Sequence, residues 1–125
     1  MPSIRADKQI FPFFDSVKTP VAAAGTSESF HNNGFSTLIL EVSGAEGIKL
    51  TVEGCINILN TDGTTKTDAE CTWTQLAVID MSAYNVLEEV EGNGIFAIGI
   101  NGNARVRVVI SEISGSATIT GVAEV

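Results

Sequence analysis

The chain holds one histidine, two cysteines, three prolines and one tryptophan in 125 residues. Each scarcity removes a class of chemistry. His31 has no second histidine with which to complete a common zinc or iron site, and a Ser-His pair would rest on it alone. Cys55 and Cys71 lack CxxC spacing and are too few for a zinc centre. Basic residues are also few, seven against fifteen acidic, for a net charge of −8. They are scattered at Arg5, Lys8, Lys18, Lys49, Lys66, Arg105 and Arg107, so no local patch offsets a field that repels nucleic acid. No apolar run approaches the ~18–20 residues of a membrane-spanning helix. Ile10-Phe11-Pro12-Phe13-Phe14 is too short and too broken for the core of a signal peptide, and the chain has no Asn-X-Ser/Thr sequon. The expectation is synthesis in the cytoplasm, with no membrane and no nucleic-acid partner.

What the chain has is glycine, twelve in all, set between short β-branched runs. Ile95 to Ile100, Arg105 to Ile110 and Ala117 to Val122 are alternating, β-branched runs. Asn101-Gly102-Asn103 and Ser114-Gly115 separate them, and Asn and Gly are the residues that tolerate the positive φ of tight turns. This predicts a three-stranded meander over 94–125. A three-residue first loop sets Ile98 against Val106 and Phe96 against Val108. A two-residue second turn sets Ile110 against Ile119 and Arg105 against Glu124.

Upstream, Phe35 to Val42 reads as a strand ending at Ser43-Gly44, and Ile48 to Ile58 as a long half-buried strand with a bend at Gly54. Thr61 to Thr65 reads as a turn, and Cys71 to Ile79 as the returning partner. Symmetry about Gly63 places Leu50 opposite Leu76, Cys55 opposite Cys71 and Trp73 opposite Glu53 on the outer face. Cys55 and Cys71 then lie within disulfide reach, or remain two reduced thiols. Ser82 to Gly92 is the one stretch with helical spacing, and a short helical turn or a loop is predicted there. Residues 1–33, punctuated by Pro2, Pro12 and Pro20, read as an extended N-terminal arm with short strands near Ile10–Phe14 and Ser27–His31, or as an edge strand and loops packed on the domain. Residues 34–125 form the domain proper. The fold class expected is all-β: a two-sheet antiparallel sandwich, jelly-roll-like, of about eight strands.

No constellation of reactive side chains emerges. Gly92-Asn93-Gly94 precedes a strand instead of opening a helix, so it lacks phosphate-binding geometry. Asp62, Asp68, Glu70 and Asp80 match no calcium-loop spacing. The expectation is a protein that is not an enzyme and takes no cofactor and no metal. The recognition candidates are Phe11, Phe13, Phe14 and Trp73, as aromatic anchors of an interface, with Arg105 and Arg107 beside them.

Gly94-Ile95-Phe96, Arg105-Val106-Arg107-Val108, Ser114-Gly115-Ser116 and Thr118-Ile119-Thr120-Gly121 together resemble the C-terminal pattern of small virion proteins of tailed bacteriophages. The stretch from Trp73 into Val78-Ile79-Asp80-Met81-Ser82 is similar to the middle of such proteins. The resemblance implies a compact β-sandwich that decorates or cements a capsid, forms a head fibre, or attaches a tail. It implies a homo-oligomer, commonly a trimer, contact with a major capsid or tail protein, and a place in the virion. It implies no catalytic residue. A second expectation, of another class, is a carbohydrate-binding module in which Trp73 stacks on a glycan.

Overall fold

The structure, a computed structural model, describes residues 8–14 and 20–125. Its described strands are β1 (Lys8–Phe11), β2 (Gly25–Thr26), β3 (Phe30–His31), β4 (Thr37–Cys55), β5 (Thr74–Gln75), β6 (Val78–Asp80), β7 (Asn85–Leu87), β8 (Val90–Glu91), β9 (Gly94–Gly99) and β10 (Arg105–Glu124). They are antiparallel and join one hydrogen-bonded sheet, with β1-β10-β4-β9-β6-β7 as its main path. The all-β, antiparallel class expected from sequence is what forms, and every described strand belongs to one hydrogen-bonded sheet.

Two strands dominate. β4 and β10 pair along their whole lengths, from Arg105 opposite Cys55 to Glu124 opposite Thr37. A straight strand would hold Val106 and Gly121 about 50 Å apart. Yet Phe11, the register partner of Gly121, stacks on Phe30, the partner of Val106, at 5.3 Å between ring centroids. The ribbon doubles back on itself. The reversal falls where the β4–β10 register shifts, between Ile110 and Thr118, and where Gly44 and Gly115 take φ of +83° and +73°. Those values suit glycine and bend both strands of the ribbon together.

Doubling back creates the core. Leu38, Leu40, Val42 and Ile119 from one half of the ribbon join Leu50, Val52, Val106 and Val108 from the other in one buried cluster. Short strands then flank each half. β1, β9, β6 and β7 extend the half made by Thr37 to Val42 with Thr118 to Glu124. β2, β3, β5 and β8 line the half made by Lys49 to Cys55 with Arg105 to Ile110.

Several expectations are corrected. β9 pairs with β4 and not with β10, and β10 passes through Ser114-Gly115 still paired with β4 instead of turning back on itself as a hairpin, so the C-terminal meander does not form. A continuous β10 has a partner over nearly its full length, whereas a hairpin would have given each short arm only a local one. The Arg105–Glu124 pair is lost with it: Glu124 meets Lys8 at 3.8 Å and Arg105 meets Asp68. β4 likewise passes through Ser43-Gly44. The Gly63 hairpin pairs only Glu53 with Gln75 and Gly54 with Thr74, two residues out of the expected register; Leu50 lies opposite Val90 and not Leu76, and Val78 pairs with β9. Ser82 to Gly92 holds β7 and β8 and no helix.

Where residues 1–33 are described, β1 is an edge strand of the sheet and packs on the domain, the second of the two readings, instead of extending as a free arm; residues 1–7 and 15–19 lie outside the described residues. Phe11 and Phe13 are buried and pack edge-to-face at 5.9 Å, with Phe30 completing the cluster. A Cβ at Gly121 would come within 2.7 Å of the Phe13 ring, so glycine there is what makes room. Rings already enclosed by their own domain cannot anchor a neighbouring subunit. Phe14 is only partly buried, against the edge of the same core.

Candidate functional site

The outer face of the second half of the ribbon gathers most of the polar chemistry. Strand alternation sends Val106, Val108 and Ile110 into the core and turns Arg105 and Arg107 outward. Across the ladder, Arg107 lies opposite Glu53 and Arg105 opposite Cys55. The segment that leaves β4 after Cys55 then folds back over these residues and rejoins the sheet at Thr74, with a short 3₁₀ turn at Asp68–Glu70. Cys55 is outward-facing but buried, because this flap covers it.

Arg107 is held from two sides. Its Nε donates to Glu53 Oε1 at 2.8 Å, and its guanidinium carbon lies 4.0 Å from the centre of the Trp73 ring. A planar cation between a carboxylate and an aromatic face uses both its hydrogen-bonding edge and its flat surface. The Trp73 indole N–H donates to the Asp68 carbonyl at 2.9 Å. Asp68 is the hub. Its Oδ1 accepts from Ser29 Oγ at 2.8 Å and from Arg105 Nη1 at 3.2 Å. One flap residue thus ties the β2–β3 connection, β10 and the tryptophan together.

Cys55 and Cys71 sit within the same patch. The Cys55 thiol donates to the Asn57 carbonyl at 3.3 Å, and Arg105 Nη1 donates to Cys71 Sγ at 3.4 Å. Both are free thiols in this structure. Burial pushes the Cys55 thiol above its ordinary range, and the neighbouring Cys71 adds to that. On the flap, Thr67 N–H and Oγ1 hold the Glu70 carboxyl below the usual carboxylate range, and Thr64 does the same for Asp62.

The fold therefore brings Trp73, Arg105, Arg107, Cys55 and Cys71 to one place and separates them from Phe11 and Phe13. Ser29 is the member that no sequence pattern marked, while Asp68 stood out only as a loop acid and Glu53 only as an outward neighbour of Trp73. Opposite charges at Glu53 and Arg107, each at an outward position of a long strand, were the available signal. The arrangement is saturated: among the described residues, no buried side-chain nitrogen or oxygen lacks a hydrogen-bond partner. His31 lies exposed on β3. Among the described residues, no group of three or more His, Cys, Asp or Glu is placed to hold a metal ion. Such a network can fasten a flap and shape a surface.

No protein-family model matches the chain, and no curated protein matches it. One solved structure does. The crystal structure of SPBc2 prophage-derived protein YomS superposes with a TM-score of 0.71, over 94% of this chain and 92% of that one, at 15% sequence identity. At that identity the likeness is one of fold, and it spans nearly the full length of both chains.

Proposed function

We propose that the chain is a non-enzymatic structural protein of a bacteriophage, a self-associating β building block that docks on a major capsid or tail protein of the virion. Decoration or cementing of the shell and a head–tail accessory role are the forms this reading takes. Synthesis is in the host cytoplasm, and a trimer is the favoured assembly. The observation that carries the reading is the near-full-length fold likeness to a prophage-derived protein. The C-terminal motifs that resemble phage virion proteins fall on β9 and on β10, one of the two strands of the central ribbon, which is consistent with it.

Trp73 supports the building-block reading over a glycan-binding one. Its N–H and one ring face are committed to Asp68 and Arg107 inside the chain, which is the setting of a structural anchor. The test is whether the chain is a component of particles. Purified virions of the phage that encodes it, probed by quantitative mass spectrometry, are expected to contain it in fixed stoichiometry to the major capsid or tail protein. Its absence from washed particles would sink the reading.

A further inference from the structure

The outer face of the first half of the ribbon is built unlike the second. Following the register across the sheet, Ile10 lies opposite Val122, Val122 opposite Ile39, Ile39 opposite Ala97, Ala97 opposite Ile79, and Ile79 opposite Val86. Six strands contribute one residue each, and all six are apolar. Opposed residues share a face, and their alternates Leu38, Leu40, Phe96, Ile98 and Val78 fill the core, so this row points outward. At ~4.8 Å between strands it runs roughly 24 Å across the sheet. Ile10 is 63% exposed, Val86 71% and Ile79 41%, with Ile95 at 50% in the adjoining row.

An outward-facing sheet surface ordinarily alternates to polar residues. Here the flanking rows read Lys8, Glu124, Thr37 and Gly99 on one side and Thr120, Glu41 and Ile95 on the other. Lys8 and Glu124 pair with each other, so Glu41 is the one charge those rows leave unbalanced. Tyr84, in the turn between β6 and β7, is 77% exposed and holds φ at +57°.

Resting on the self-association proposed above, we infer that this face is where a second copy of the chain packs, sheet against sheet. Two arguments select a copy over another partner. Chains of net charge −8 repel one another, so a self-contact needs a face low in charge, and on this one the unbalanced acids are Glu41 and, two residues beyond Val86, Glu88 at the rim. With Tyr84 and Met81, this one face gathers six large exposed apolar side chains (Ile10, Ile79, Met81, Tyr84, Val86 and Ile95), where an ordinary monomer scatters them singly. Two such faces pack about 10 Å apart, as inner sheet faces do.

Light scattering of the purified full chain over a concentration series tests this, with Ile10→Lys and Val86→Lys on the face and Thr51→Lys on the outer face of the other half. These side chains are outside the core, and circular dichroism with Trp73 emission checks that each variant folds. The wild type and Thr51→Lys are expected to self-associate, with added salt tightening the contact by screening like charge. Each face variant is expected to weaken it at least tenfold. A wild-type oligomer that both face variants retain unchanged would overturn this surface while leaving self-association standing. A wild type monomeric at the highest concentration would overturn both.

Discussion

At the scale of single residues, the fold depends on side chains that finish a backbone ladder. Ser27 lies between β2 and β3, where the edge of β10 would otherwise go unpaired. Its N–H donates to the Val108 carbonyl at 2.8 Å, and its Oγ accepts from the Val108 N–H at 2.9 Å. Ser27→Ala leaves that buried N–H unsatisfied and is expected to destabilise the protein by about 1–3 kcal/mol, read from the denaturant midpoint. An unchanged midpoint would mean that water replaces the hydroxyl. Cys55 offers a second residue-level expectation. Its thiol is raised by burial and by Cys71, so at neutral pH it carries less thiolate than an ordinary cysteine and should alkylate slowly in the folded state. The folded chain holds this proton more tightly than the unfolded one. Its contribution to stability is thus full below the ordinary thiol range and is lost as pH rises through the folded value. Alkaline loss of stability that Cys55→Ala abolishes is the expected signature, and a Cys55→Ala profile matching wild type would refute it.

At the scale of elements, the strand content was legible in the sequence and the pairing partners were not. The reason is visible in β10. Its buried positions are even-numbered from Val106 to Ile110 and odd-numbered from Ala117 to Ala123. A two-residue hairpin at Ser114-Gly115 requires that change of parity, and so does one extra residue bulged into a continuous strand. Periodicity cannot separate the two, and the contacts that do separate them come from β4, some 70 residues earlier. In β4 the parity holds even from Leu38 through Leu50, which was the readable sign of one strand passing through Ser43-Gly44. The site shows the same limit. Trp73 and Arg107 were legible as outward-facing residues, but their meeting depends on a flap whose course no local pattern encodes. That flap is expected to be a separate unit of stability. Asp68→Ala removes the bonds from Ser29 and Arg105 and should lower global stability by only about 1–2 kcal/mol, since the pair is partly exposed. Cleavage within residues 56–72 by a protease should rise more steeply, with Trp73 emission moving to the red as the flap opens. Protection unchanged from wild type would show that the flap stays closed without its hub.

At the scale of the molecule, one sheet encloses its own core because its ends are brought together, and the N-terminal segment is part of that closure. Phe11 extends the sheet on the Gly121 side, while its ring meets Phe30, which belongs to the opposite half. Phe13 packs edge-on against both. The segment therefore acts as a seam, and this decides between two outcomes of removing it. A docking arm could be deleted to leave a folded domain that no longer binds. A seam cannot. Phe11→Ala alone is expected to cost about 3–5 kcal/mol, a large part of the ~5–15 kcal/mol by which a domain of this size is stable. Deleting residues 1–14 removes both rings and a strand, so the truncated chain is expected to lose cooperative unfolding and to expose apolar core to dye. The single substitution should still fold at low temperature, with a much reduced denaturant midpoint. If the truncated chain instead unfolds cooperatively with the midpoint of the full chain, the doubled ribbon closes without its seam, and the segment returns to the role of an arm.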